Sequence, residues 1–183
     1  MADKTEKLET IAKAVKAPAD GKREVIDMGH YGISIDVEGV WHHGGLPFPR
    51  IALVKLFATI LKCDTAGAYH LATPVERGLI DVADAPFVAV EMQVTGTGAK
   101  QVIKFRDNLD IWTPLDLAHQ LRVAFDPATD EPRPYIDVRE GLEARLSRSV
   151  YYELADLAEE DADRNVMGIW SHGVFHDLGP MEV

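Results

Sequence analysis

Residues 168–173 read Gly168, Ile169, Trp170, Ser171, His172, Gly173, and residues 39–44 read Gly39, Val40, Trp41, His42, His43, Gly44. Four of the six positions are identical, and a fifth pairs Ile169 with Val40. Two of the chain's three tryptophans lie in these strings. Self-similarity exposes the building unit of a fold, and two copies point to a duplication rather than a solenoid. On this reading Trp41 and Trp170 occupy equivalent places in two related units. A chance match between two short glycine-capped strands would give the same strings. Superposing the two strands decides between these readings.

A chain of 183 residues suits one large domain or two small ones. With 46% apolar residues it can build a core without disulfides, and its one cysteine, Cys63, has no internal partner. A reducing cytoplasm is therefore the expected setting. No apolar run approaches the roughly 20 residues that span a bilayer. The opening Met1, Ala2, Asp3, Lys4 has no apolar signal core, so neither a membrane partner nor a secretory leader is expected. A net charge of −11 repels phosphate backbones and argues against nucleic acid polymers as partners. The charge is uneven: acids gather at Glu159, Glu160, Asp161 and Asp163, and arginines gather between Arg133 and Arg148. A basic pocket on an acidic protein can hold a small anion without attracting a polynucleotide.

Hydrophobic period sets the expected elements. Residues 3–17 read as an amphipathic helix on Leu8, Ile11, Ala12 and Val15, with an Asp3–Glu6 capping pair and a stop at Pro18. Residues 20–28 are polar and carry a turn. Alternation then predicts strands at Ile33, Ile35 and Val37 and at residues 40–42. Residues 50–61 form the clearest helix, whose broad apolar face should bury Leu53, Phe57 and Leu61. Strands follow at residues 69–71, 79–82, 87–94, 101–106, 119–125 and 135–138, broken by Pro and Gly turns. A long helix is expected over residues 141–160, buried along Leu142, Leu146, Val150, Leu154 and Leu157. Its acidic end opposes the helix dipole and should fray. The fold class is α+β: a small N-terminal αβ unit over residues 1–82, then an antiparallel meander with one C-terminal helix over 83–183. That order matches a pleckstrin-homology-like domain and carries no function by itself.

Several constellations bear on chemistry. The seven histidines are His30, His42, His43, His70, His119, His172 and His176. They lack a His-Glu-x-x-His string, and the neighbours His42 and His43 point to opposite faces of a strand, so no metal site is expected. Ser171 sits beside His172 outside a nucleophile elbow, and Cys63 reads as an inert thiol, so no catalytic residue is assigned. The Thr95-Gly96-Thr97-Gly98 stretch lacks phosphate-loop spacing and reads as a hairpin, and no dinucleotide fingerprint occurs, so no cofactor is expected. Arg139, Arg145 and Arg148 are the better candidates. Arg145 and Arg148 fall on one face of the expected helix with Tyr152, and guanidinium forks suit phosphate or carboxylate oxygens. Pairing with Glu140, Glu143 or Glu153 on a solvated surface is the competing reading.

Four strings carry a resemblance to a known family: Tyr69-His70-Leu71-Ala72-Thr73-Pro74-Val75-Glu76, Val82-Ala83-Asp84-Ala85-Pro86-Phe87, Val138-Arg139-Glu140-Gly141-Leu142-Glu143-Ala144 and Trp170-Ser171-His172-Gly173. Together they resemble the bacterial domain of unknown function twelve-eighty-five family, from about Val25 onward. The resemblance implies a two-part core with a duplicated motif and a pleckstrin-homology-like second half. It further implies a nucleotide-like ligand held between the halves and a role in signalling, and it names no reaction.

The leading expectation is therefore a ligand-binding module for a small anionic, nucleotide-based ligand between the two domains. Trp41, Trp170, Tyr152 and Phe87 would offer stacking surfaces, and Arg139, Arg145 and Arg148 would meet the anion. Thr73 and Glu76 would hydrogen-bond from the other wall, with His43 and Ser171 close by. One alternative is a metal- or histidine-dependent hydrolase drawing on His43, His70, His172 and His176 with Asp84 or Asp177. The other is a protein-interaction adaptor whose acidic surface steers a basic protein partner.

Overall fold

Strands that alternate between core and surface build most of the chain. The computed structural model describes residues 2–15 and 25–180, with side chains from Leu8 onward. The chain divides into two units, Met1–Asp84 and Ala85–Val183. The side chains of the expected Asp3–Glu6 cap, the stop at Pro18 and the polar stretch 20–24 lie outside the described residues. Among the described residues no helix is long and apolar enough to cross a membrane.

The first unit opens with helix α1 (Ala2–Val15), which buries Ile11 and packs on α2 (Ile51–Ala58). Its strands are β1 (Ile26–Ile35), β2 (Trp41–His43), β3 (Leu46–Pro47), β4 (Leu61–Cys63), β5 (Tyr69–Ala72) and β6 (Glu76–Val82). They form one sheet in the order β3-β2-β1-β6-β5-β4. Tyr31, Ile33 and Ile35 alternate inward from β1. Phe48 sits edge-on between Trp41 (centroids 6.3 Å apart) and Phe57 (5.9 Å), tying β2 to α2. The helix is shorter than its apolar run. It ends at the Thr59 cap, and Leu61 is buried as a strand residue of β4. Phe57 is fully buried as expected, while Leu53 is only half-buried.

The second unit holds β7 (Phe87–Thr95), β8 (Val102–Asp107), β9 (Trp112–Pro114), β10 (Leu121–Phe125), β11 (Pro132–Arg139) and β12 (Leu142–Leu146), in the order β10-β11-β12-β7-β8-β9. Helix α3 (Arg148–Ala155) packs on β7. A three-stranded sheet follows, β13 (Glu159–Asp161), β14 (Val166–Ser171) and β15 (Val174–Pro180), with β14 in the middle. The two six-stranded sheets have the same path. In each, the chain starts at the centre, walks out to one edge, crosses to the opposite edge and walks back. The first and last strands then pair in parallel, β1 with β6 and β7 with β12, while all other neighbours are antiparallel. The α+β class and the internal duplication therefore hold.

The duplication does not run through the tryptophan strings. Trp41 opens β2 and is 2% exposed, whereas Trp170 is half-buried in β14, outside the repeated sheet. The strand in the place of β2 in the second unit is β8. The matched glycines also do different work. Gly39 takes a left-handed turn at φ 75°, while a Cβ on Gly168 would lie 2.3 Å from the Phe175 ring. The string match is thus a chance likeness of two glycine-flanked strands.

The expected helix over residues 141–160 is corrected as well. Glu140 and Gly141 make a two-residue hairpin turn, with Gly141 at φ 69°. Leu142, Ala144 and Leu146 then point inward from β12. A spacing of four between Leu142 and Leu146 fits a strand as well as a helix, and the intervening Ala144 fits the strand alone. Helix begins only where the Ser147 hydroxyl accepts the Val150 amide (3.4 Å), and it buries Val150 and Leu154. Residues 159–161, expected to fray, pair with β14 instead.

We expect Phe57→Ala to lower stability by about 3–5 kcal/mol, because a fully packed ring leaves a cavity. Leu53→Ala, on the half-buried position, should cost distinctly less. Paired urea titrations with unchanged m-values would check both, and equal losses would contradict this packing.

Candidate functional site

The hairpin turn at 140–141 and the Ser147 cap decide where the three candidate arginines go. Arg139 closes β11, Arg145 lies within β12, and Arg148 is the first residue of α3. Arg145 and Arg148 therefore do not share a helix face. Arg139 and Arg148 bracket β12, whose five residues span about 16 Å at roughly 3.3 Å each. One site built from all three guanidinium groups is not formed.

Each arginine has its own setting. The Arg139 guanidinium lies 5.7 Å from the centre of the buried Phe87 ring. Desolvation there pulls its pKa below the ordinary arginine range, and the Asp107 carboxylate opposes that shift. Arg145 stands opposite Tyr135 and Val88 in the ladder, on the face away from Ala144 and Leu146. Arg148 Nε donates to Tyr152 Oη (2.9 Å), with the guanidinium 5.6 Å from the ring centre. The step of four residues on α3 places the two side chains together. That hydrogen bond holds the Arg148 pKa above its usual value. Tyr152 is 54% exposed, and its ring lies 6.4 Å from that of Tyr151.

Other arginines of this unit are neutralised by carboxylates. Arg122 grips Glu143 through Nε and Nη2 (2.8 and 2.6 Å) and covers the Tyr135 ring at 4.2 Å. Arg106 binds Glu91 and Asp110, Arg133 binds Asp126, and Arg164 binds Asp161. Glu143, a competitor for Arg145 or Arg148 on sequence grounds, is thus committed to Arg122. Among the described residues Arg148 has no carboxylate at ion-pair distance, and its Nη groups have no other partner. The Arg122–Tyr135 stack was invisible in the sequence, because strand register alone brings residues thirteen apart face to face.

The remaining candidates lie elsewhere. Trp41, His43, Thr73 and Glu76 belong to the first unit. Trp41 is core, and His43 tilts against Phe48 at 6.3 Å. The Thr73 hydroxyl closes the β5–β6 turn, accepting the Val75 and Glu76 amides (3.3 and 3.1 Å) and donating to the Glu76 carbonyl (3.1 Å). Glu76 has a buried Oε1 without a partner among the described residues. Burial, with the Glu76 charge adding to it, pushes the Tyr31 hydroxyl pKa up. Trp170 and Phe175, 5.3 Å apart, line an open cavity of about 290 Å³ with Ala162 and the acidic Glu159, Glu160, Asp161 and Asp163. Its walls carry the wrong charge for an anion.

Ser171 is a structural anchor. Its side chain is completely buried, donating to the Leu115 carbonyl (2.6 Å) and accepting the Ile103 amide (3.1 Å). Gln101 Nε2 donates to the Trp170 carbonyl (3.0 Å), and the His172 amide donates to the Gln101 carbonyl (2.9 Å). His172 Nδ1 lies 3.3 Å from Ser171 Oγ, which is already committed to Leu115. This geometry ties β14 to β8 and to the loop after β9. His42, His30 and His119 pair with Asp36, Asp81 and Asp116 at 2.9, 3.3 and 2.9 Å. Among the described residues no group of three or more His, Cys, Asp and Glu side chains is placed to hold a metal ion. His43 and His70 lie in the first unit with Asp84, and His172 and His176 in the second with Asp177.

Two family models match the chain. Residues 25–85 match the N-terminal domain of DUF1285, a domain of unknown function, and residues 86–178 match the C-terminal domain of the same family. The chain is similar to the crystal structure of a DUF1285 family protein from Silicibacter pomeroyi DSS-3, at 38% identity over 95% of each chain and a TM-score of 0.85. It is also similar to a DUF1285 family protein from Shewanella baltica OS155, at 25% identity over 68% of this chain and 91% of that one, with a TM-score of 0.55. No curated protein matches it.

Replacing Ser171 by Ala leaves the Ile103 amide without its partner, while the Leu115 carbonyl keeps His172 Nδ1 at 3.2 Å. We expect a stability loss of about 1–3 kcal/mol for the stranded amide. A urea midpoint unchanged from wild type would show that the anchor carries no weight.

Proposed function

The chain belongs to the DUF1285 family, and we propose that it is a binding module for a small anionic, nucleotide-like ligand, with Arg148 and Tyr152 at the centre of the site. The observation that carries this reading is the state of Arg148. Its guanidinium is oriented by a neutral phenol, and among the described residues no carboxylate lies at ion-pair distance, the Glu131 charge acting on it from farther off. With Nε fixed on Tyr152 Oη, the Nη edge is left to receive two oxygens of a phosphate or carboxylate. The exposed Tyr152 ring, beside Tyr151, offers a face for an aromatic base. On a chain of net charge −11, a single cation without a close ion pair among the described residues favours a small anion over a polynucleotide. We place this module in a reducing bacterial cytoplasm with a role in signal transduction, as the single cysteine and the family resemblance imply.

Calorimetry with a panel of nucleotides tests the reading. Charge-assisted hydrogen bonds are worth about 1.5–3 kcal/mol, so Arg148→Ala should weaken a genuine ligand roughly 10- to 150-fold. Arg148→Lys keeps the charge but loses the fork and should fall between. Arg139→Ala, at the far end of β12, should leave affinity near wild type. Unchanged binding after Arg148→Ala removes the proposal.

A further inference from the structure

The buried cluster behind Ser171 contains a titratable group that the anchor itself does not use. His176 lies in β15 opposite Ile169 and is 6% exposed. The Ser171 main chain favours the charged ring, while Nε2 is buried with no partner among the described residues. A charged ring carries a proton on that unpartnered nitrogen, so the neutral ring is the form that fits. Two titratable groups act on it. Asp116, from the β9–β10 connection, attracts a charged ring, and His172, from the β14–β15 turn, repels it when protonated. On β10, which packs against β15, Arg122 is committed to Glu143.

We propose that His176 is a proton-operated latch: neutral, it lets the three-stranded sheet seat on β8 and the loop after β9, and charged, it releases that sheet. Protonation at Nε2 adds a buried donor and a buried charge together. The Asp116 carboxylate has one oxygen engaged: Oδ1 accepts the Ala118 and His119 amides and contacts His119 Nδ1, each at 2.9 Å. That loop begins beside Leu115, whose carbonyl receives the Ser171 hydroxyl. The latch and the anchor therefore share a hinge.

Burial, the largest influence, holds the His176 pKa below its ordinary value near 6.5. The released state thus binds the proton more readily than the seated one. Seating is complete above about pH 6.5 and weakens as pH falls from there through the lowered pKa. Each pKa unit of depression is worth about tenfold in the ratio of released to seated sheet.

Amide hydrogen exchange on the full chain at pH 7.5 and 5.5, corrected for intrinsic rates, reads the latch directly. The Ile103 and His172 amides report the seat, and the Ile136 and Ala144 amides report the six-stranded sheet. In the wild type, protection at Ile103 and His172 should fall at the lower pH, by up to about tenfold, while the reference amides hold. In His176→Gln, which cannot take the proton, that loss should vanish. Unchanged protection in the wild type, or the same loss in His176→Gln, overturns the proposal. If that variant does not fold, the wild-type His176 ring is titrated by NMR beside the same amides. Coincident midpoints support the latch, and a ring that charges while the amides stay protected refutes it.

Discussion

Each unit depends on one parallel ladder between the first and last strands of its sheet. In the first unit Ile26, Asp27, His30, Ser34 and Ile35 of β1 pair with Glu76, Arg77, Leu79, Asp81 and Val82 of β6. In the second, Phe87, Val88 and Ala89 of β7 pair with Ala144, Arg145 and Leu146 of β12. Parallel neighbours cannot be joined by a tight turn, so the intervening chain must leave one side of the seam and return on the other. The walk out, the crossing and the walk back follow from that. The first unit spends its crossing on α2, which buries Phe57 beneath the sheet. The second crosses through a loop at residues 115–120 and places its helix after the seam. Leu115 lies in that loop and receives Ser171, so the added three-stranded sheet is moored to the crossing.

The same seam governs the chemistry. Because β12 is a strand, Glu143 and Arg145 share a face, and the register across β11 and β10 hands Glu143 to Arg122. That pairing engages the carboxylate nearest in sequence to Arg145. Arg148 falls beyond the strand, on the first turn of α3, where Tyr152 is its hydrogen-bond partner among the described residues. Polar groups behind the three-stranded sheet follow a different logic. Ser171 is buried and fully bonded, while His176 Nε2 is buried and unbonded. The first stabilises the junction at every pH, and the second makes it sensitive to protons.

Parts of this were legible in the residues. Alternation at Ile33 and Ile35 and along residues 87–94 marked strands, because a half-buried strand imposes a period of two. The α2 face was legible through Phe57, though the helix end was not, since the apolar pattern resumes at Ile60 and Leu61 after the single polar Thr59. The stretch from Leu142 to Leu157 was misread because a spacing of four serves both periods. The Glu140–Gly141 turn and the Ser147 cap held the answer, as local signals with definite backbone geometry.

The sequence by itself determined the family strings, the α+β class, the acidic charge, and the candidacy of Arg148 and Tyr152, since these depend on composition and short-range pattern. Tertiary structure alone decided that the repeat lies in the strand path and not in the tryptophan strings. It also decided which arginine keeps its charge exposed and which histidine is buried with its Nε2 unpartnered among the described residues. All three depend on register between strands far apart in the chain, and register is set by the sum of long-range packing and hydrogen bonds, which no local string of residues encodes.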